Sequence, residues 1–158
     1  MLQNLIINNI AVIENAEPTF DIGLNVLTGE TGAGKSIIVD SINAVLGERT
    51  SKDIIRTGCD KAQVVAVFQD VSDYCKAMFL EYGIDDDNGQ YIFQRTLSSQ
   101  GKTTCRVNGI PVNTSVLKDL GKYLINIHGQ HDNQLLLNPD NHILFLDSYA
   151  ENSEVLND

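Results

Sequence analysis

Basic residues are scarce in this sequence. Against 21 Asp and Glu stand only 11 Lys and Arg, a formal charge of -10 over 158 residues. That balance excludes a generally basic nucleic-acid coat, so any contact with DNA has to come from a local patch. Cysteines are few: Cys59, Cys75 and Cys105 are odd in number and widely spaced, with no CxxC pair. They argue against a disulfide framework or a zinc site and fit a reducing compartment. No apolar run approaches the roughly 20 residues a membrane helix needs. The sequence opens with Met1 and strand-like residues, not with the basic stretch and apolar run of a signal peptide. The expectation is a cytoplasmic domain with no membrane partner. Internal repeats and low-complexity segments are absent too. What is there, 42% hydrophobic and 20% charged residues, is a globular mixture sufficient for about one domain, which excludes wholesale disorder.

Along the chain, Leu2 to Ile7 alternates weakly and reads as a strand, with Asn8-Asn9 as a turn. Ala11 to Phe20 reads as a second strand that Pro18 limits. After Gly23, Leu24 to Thr28 is a short strand running straight into Gly29-Glu30-Thr31-Gly32-Ala33-Gly34-Lys35-Ser36. Ile37, Ile38, Ile42, Val45 and Leu46 then recur at helical spacing until Gly47. Ala62 to Gln69 is a strand, and Val71 to Tyr82 a helix with Ser72 as its cap. Asp85 to Gly89 is an acidic turn. Tyr91 to Leu97 and Thr103 to Val107 are strands, and Asn108-Gly109 is a hairpin turn. Asn113 or Thr114 caps a short helix ending near Gly121. Tyr123 to Ile127 reads as a buried strand, and Asn138-Pro139 starts a helix over 139–149. The fold class expected is α/β, with a mixed sheet whose antiparallel lobe covers about 62–112.

Gly29 to Ser36 matches G-x-x-x-x-G-K-[ST], the P-loop, between a strand and a helix. The residue types follow from the chemistry. Glycines let the backbone curl so that successive N–H groups converge on phosphate oxygens. The helix beginning near Lys35 adds its positive dipole end. Lys35 then reaches the β- and γ-phosphates, and the Ser36 hydroxyl ligates Mg²⁺. The bland alternative is a glycine-rich strand–helix connection.

Hydrolysis also needs a carboxylate near the metal and a group that positions water. Gln130, in His128-Gly129-Gln130-His131 just past the expected strand, could touch both metal and water; the alternative is an exposed polar loop. Ile143 to Asp147 has the four apolar residues and terminal Asp of a Walker B strand. Asn138-Pro139 instead favours a helix through that stretch, which leaves no Walker B carboxylate. His128, His131 and His142 lack the Cys or acidic companions of a metal site. Between Asn88 and Lys118 there is no Asp or Glu, while Arg95, Lys102, Arg106 and Lys118 occur there. The hairpin could present a small basic face or be an ordinary solvated one. Arg49 and Arg56 face phosphate, DNA or a partner acid.

Taken in order, Asn9-Ile10-Ala11, the segment from Gly23 through the P-loop to Ser36, Ile55-Arg56-Thr57-Gly58, Val107-Asn108-Gly109 and Ile127-His128-Gly129-Gln130-His131 resemble the SMC-like branch of the ABC ATPases. The resemblance covers nearly the whole chain and is to the N-terminal half of the head domain. It implies a P-loop NTPase half-domain that binds ATP and Mg²⁺ through residues 29–36 and Ile37. It implies a Q-loop over about 128–134, with Gln130 as metal ligand and water-positioning residue and Gln134 as the less favoured substitute. The remaining parts of such a head lie in a C-terminal half, beyond a coiled coil toward which the 139–149 helix leads. Two heads sandwich the nucleotides, and the machine acts on DNA in double-strand break repair, in the cytoplasm and on the nucleoid. With no Leu-Ser-Gly-Gly run and no heptad array, the chain reads as a half-head incompetent alone. Two other readings stay open: a small P-loop kinase acting on a metabolite, and a non-catalytic P-loop interaction module.

Overall fold

A computed structural model describes residues 1–29 and 34–127. Met1–Ile125 form one compact unit and Asn126–Asp158 a second; the first holds every element described below. Its strands are β1 (Leu2–Ile10), β2 (Ile13–Ala16), β3 (Lys61–Gln69), β4 (Gln90–Ser98), β5 (Thr103–Val107) and β6 (Ile110–Val112). Its helices are α1 (Lys35–Val45), α2 (Asp73–Glu81) and α3 (Thr114–Gly121). The strands form one sheet in the order β2-β1-β3-β4-β5-β6, and every neighbouring pair is antiparallel.

The core follows from period-2 alternation on the central strands. Ala62, Val64, Ala66 and Phe68 of β3 turn inward, as do Tyr91, Phe93 and Leu97 of β4. The intervening residues of both strands are half-buried. Leu5, Ile7 and Ile10 extend that buried layer onto β1, and Val107 onto β5. α1 packs against β1, β3 and β4. From α2, Phe79 stacks on Tyr91 with ring centroids 4.0 Å apart and meets Phe93 edge-on at 5.9 Å. Such aromatic pairs add about 0.5–1.5 kcal/mol beyond their buried area.

Local chemistry sets the element ends where the sequence indicates. The Ser72 side chain accepts the Cys75 N–H at the start of α2, and Asn113 accepts the Val116 N–H at the start of α3. Asn108 and Gly109 both have positive φ, 47° and 77°, which is the two-residue turn that matches strand twist. Asn108 also closes the neighbouring strand end. Its Oδ1 accepts the Ile92 N–H at 2.7 Å, and its Nδ2 donates to the carbonyls of Asp85 at 2.6 Å and Gln90 at 3.2 Å. Asn108→Ala therefore leaves the Ile92 N–H and the Asp85 carbonyl without this partner, while Gln90 O keeps the Asp87 N–H, and it places a methyl residue in the left-handed region. The expected cost is about 2 kcal/mol, read as a lower urea midpoint at unchanged m-value.

Several expectations need correction. β1 runs on to Ile10, so Asn8-Asn9 is not a turn; the reversal falls at Ala11-Val12, with Ala11 at φ 47°. Ile10, fully buried, holds the strand in register to that point. The second strand is only Ile13–Ala16, because Pro18 has no N–H for the ladder, and its carbonyl instead accepts from Leu5 at 3.1 Å. Leu24 to Thr28 is not a strand. The Asn25 side chain bonds locally, donating to Asp21 O at 2.8 Å and accepting from Asp21 N at 3.1 Å, a loop that competes with ladder bonds. No strand among the described residues lies beside it, and Leu24 and Val26 are 92% and 68% exposed. Tyr123 to Ile127 is not a strand either. The Tyr123, Leu124 and Ile125 N–H groups bond back to Leu120 and Gly121 at the end of α3, so they are spent on the helix terminus. With both segments outside the ladder, the sheet among the described residues is antiparallel throughout, not mixed. The helix expected over 139–149 lies outside the described residues.

Candidate nucleotide-binding site

The structure describes the two ends of the P-loop segment, Gly29 and Gly34 to Ser36. Gly34 takes φ 110° and ψ -4° immediately before α1, a left-handed conformation that other residues adopt only at a cost. A Cβ there would also stand 3.7 Å from Ile13 Cδ1. As the N-cap of α1, Gly34 offers no side chain to accept the first helical N–H groups, and the first turn contains no acidic residue. Among the described residues nothing caps these first-turn donors, and no acidic residue of the first turn offsets the positive dipole end of α1. Lys35 folds back so that Nζ donates to Gly29 O at 2.5 Å. The cation, the first-turn amides and the exposed Ser36 hydroxyl thus gather at one helix end. A phosphate with its Mg²⁺ fits this donor set: amides and ammonium for the anion, a hydroxyl for the cation.

Of the remaining expected site residues, Ile37 is half-buried in the first turn, and Glu30, Thr31, Gly32 and Ala33 lie outside the described residues. So do Gln130, Gln134, His128, His131, His142 and Asp147. Among the described residues there is no cluster of His, Cys, Asp and Glu able to hold a metal.

The far end of α1 is braced by an arginine whose role the sequence left open. Arg95 is not part of a basic face; it is 5% exposed. Its Nη1 donates to Ala44 O at 2.6 Å, which also accepts the Gly47 N–H, and to Glu48 O at 2.7 Å in the turn just past α1, bracing the helix end against β4. Burial lowers the Arg95 pKa from its ordinary value, with the nearby Glu48 acting in the opposite direction, yet a guanidinium stays charged. The signal was in the sequence: Arg95 falls in step with Tyr91, Phe93 and Leu97. Arg106 Nη1 bonds Gly109 O at 2.8 Å, and Lys118 pairs with Glu48 at 2.9 Å. The hairpin therefore has no common basic face. Arg56 ties down the β1–β2 reversal, donating to Val12 O at 2.8 Å and lying 3.6 Å from Glu14.

A strand-braced helix with a glycine N-cap, a lysine folded onto the preceding loop and an exposed serine define the phosphate-binding end of a P-loop nucleotide-binding domain. Residues 4–156 match the family described as "AAA domain", and the chain belongs to that family. Among curated proteins it is similar to the DNA repair protein RecN of Bacillus subtilis, 44% identical over 151 residues, covering 95% of this chain and 26% of the relative. The RecN of Vibrio cholerae is 37% identical over 156 residues, covering 99% and 28%. The chain thus spans about a quarter of the length of these relatives. Among solved structures, a Smc head domain from Pyrococcus furiosus with an extended coiled coil superposes with a TM-score of 0.73 at 20% identity, covering 93% of this chain and 41% of that one. An SMC head domain from Thermotoga maritima gives 0.58 at 24%, covering 75% and 41%. These likenesses establish the SMC-head fold for the chain. No helix among the described residues is long and apolar enough to cross a membrane.

Proposed function

We propose that the chain is the ATP-binding half-head of a RecN-like ATPase acting in recombinational repair of DNA double-strand breaks, in the cytoplasm and on the nucleoid. The observation that carries the reading is the uncapped start of α1, with Lys35 bent back onto Gly29 beside it. Residues 29–36 hold the triphosphate and Ile37 continues the first turn. Lys35 binds the β- and γ-phosphates, its ammonium exchanging the Gly29 carbonyl for phosphate oxygen. Ser36 and Gln130 hold Mg²⁺, which supplies charge neutralisation when bound, and Gln130 places the attacking water. One structurally similar SMC ATPase is described as undergoing ATP-driven dimerization, which supports a second head as partner. A C-terminal half of the same head is the other partner. The exposed apolar side chains of Leu24 and Val26 support that half, since a P-loop strand needs neighbours for its ladder. DNA is the partner of the whole assembly.

A lid-bearing metabolite kinase gains no support from the arginines. Arg95 is buried, and Arg56 and Arg106 each hold a backbone carbonyl.

Catalysis needs a Walker B carboxylate and an opposing signature motif, and neither occurs in this sequence under this reading. A turnover assay on the 158-residue chain should therefore show Mg²⁺-dependent nucleotide binding and ATP hydrolysis indistinguishable from buffer. Hydrolysis that depends on Lys35 would contradict the half-head reading and return Asp147 as the metal carboxylate.

A further inference from the structure

The sheet has a second face, opposite the core. Among the described residues every helix lies on the core side. α1 reaches it through Arg95, α2 through Phe79 on Tyr91, and α3 through Thr114, 3.9 Å from Cys105. The outward face therefore has no described helix on it, and Ile6, Val65, Val67 and Ile92 stand half-exposed there. The ladder registers arrange this face in rows. One row runs Glu17, Ile6, Val65, Gln94 and Arg106 across the sheet. Glu17 takes its place because Ala16 faces Ile7 and Thr19 faces Asn4 on either side of it. The row beside it runs Asn15, Asn8, Gln63, Thr96 and Thr104, with Gln63 donating to the Thr96 hydroxyl at 3.3 Å. On the other side lie Asn4, Val67 and Ile92.

In these rows aliphatic side chains are ringed by neutral amides and hydroxyls, and charge occurs only at the two ends of one row. An apolar centre depleted of charge within a polar rim is the composition of an interface. The two end charges identify the occupant. They have opposite sign and stand on opposite sides of β3, Glu17 in line with β2 and Arg106 on β5. Both are exposed, and among the described residues neither joins an ion pair. A two-fold axis running along β3 between two such faces lays β3 on β3. It brings Glu17 of each copy over Arg106 of the other, so both charges are paired twice by one operation. Val65 and Val67 then meet their own counterparts. Amides both donate and accept, so Gln63 on Gln63 and Asn8 on Thr96 are complementary under the same operation. Two molecules that each carry a formal charge of -10 repel elsewhere, and this face spares them that repulsion.

We infer that this outward face binds a second copy of the chain, sheet on sheet, about a two-fold axis along β3. The nine residues of β3 and β4 rise about 3.3 Å each, and β1, β3, β4 and β5 lie about 4.8 Å apart. The face is therefore about 30 by 19 Å, and a pair buries about 1,100 Å². That just clears the roughly 1,000 Å² of a specific interface and fits a dissociation constant of about 10–100 μM. Lys61, the outward residue after Gln63 on β3, lies about 13 Å from Val65, where the crossing of stacked sheets at about 30° carries the strand ends apart. The contact involves no nucleotide. It is separate from the engagement of heads proposed above and can fail without it.

The test is sedimentation velocity on the 158-residue chain, free of nucleotide, from about 5 to 200 μM at about 50 mM salt, where exposed ion pairs are weakly screened. The parent should pass from monomer to dimer across that range. Glu17→Arg and Arg106→Glu should each weaken the dimer about tenfold or more, because each sets like charges against one another at both ends of the row. The two substitutions together should restore the parent constant to within about threefold, a rescue that misfolding would not give. Lys76→Glu, exposed on α2, should leave it unchanged. Geometry is read by cross-linking in a Cys59→Ser background, with Cys75 and Cys105 buried. Val65→Cys should give a disulfide-linked dimer under mild oxidation, since a residue on the axis meets itself. Gln94→Cys, which faces Ile6 across the axis, should not. The inference is overturned if the parent stays monomeric, if the single reversals associate like the parent, if the double reversal fails to rescue, if Lys76→Glu weakens the dimer equally, or if Val65→Cys links no better than Gln94→Cys.

Discussion

Lys35→Ala should abolish the thermal stabilisation that Mg²⁺-ATP gives the parent chain. A ligand that binds only the folded state at a hundred times its dissociation constant contributes about 2.7 kcal/mol. For a domain of this size that raises Tm on the order of 5–10 °C. Among the described residues the Lys35 ammonium meets one loop carbonyl, Gly29 O at 2.5 Å. Its removal should therefore leave the ligand-free Tm within about 1 °C of the parent, since exposed hydrogen bonds of this kind contribute little. The expected pattern is an unchanged ligand-free melt and a nucleotide shift reduced to below about 2 °C. A shift equal to the parent's would show that the nucleotide is not held at this helix end. A large drop in the ligand-free melt would assign Lys35 a structural role instead.

Gly47→Ala should be among the most destabilising single substitutions in the chain. Gly47 ends α1 with φ 92°, and an added Cβ would stand 2.6 Å from both Lys118 N and Thr114 O. Both are backbone atoms of α3, so no side-chain rotation relieves the clash. Strain in the left-handed region and forced separation of two helices each cost about 1–3 kcal/mol. The sum, about 3 kcal/mol or more, should appear as a lower urea midpoint. Gly58→Ala supplies the comparison. Gly58 has nearly the same φ, 87°, but nothing lies within 4 Å of the added Cβ, so it should lose only the backbone part, about 1 kcal/mol. Equal losses at the two positions would mean that the α1–α3 approach is not tight.

The contrast between these glycines shows what a sequence can convey. The P-loop was legible because its eight residues are covalently consecutive, and spacing alone brings glycines, lysine and serine to one helix start. Caps at Ser72 and Asn113 and the Asn108-Gly109 turn were legible for the same reason, since each acts within a few residues. Pairing is not local. Leu24 to Thr28 and Tyr123 to Ile127 have the composition of strands, but composition does not supply a neighbour; the Asn25 side chain bonds back to Asp21, and the Tyr123 to Ile125 N–H groups bond to the end of α3. Arg95 was left between a basic and a solvated hairpin face because charge was counted along the chain, while the alternation of β4 places it inside. Only the fold revealed that its guanidinium closes the end of the helix whose start is the P-loop.

The central claim is that the main chain around Gly34 and Lys35 grips a triphosphate. A crystal of the chain grown with Mg²⁺ and a non-hydrolysable ATP analogue tests it most directly. The account predicts the β-phosphate within hydrogen-bond distance of the Gly34 and Lys35 amides, with Lys35 Nζ moved from Gly29 O onto phosphate oxygen. Analogue bound elsewhere, with Lys35 still on Gly29, would contradict it.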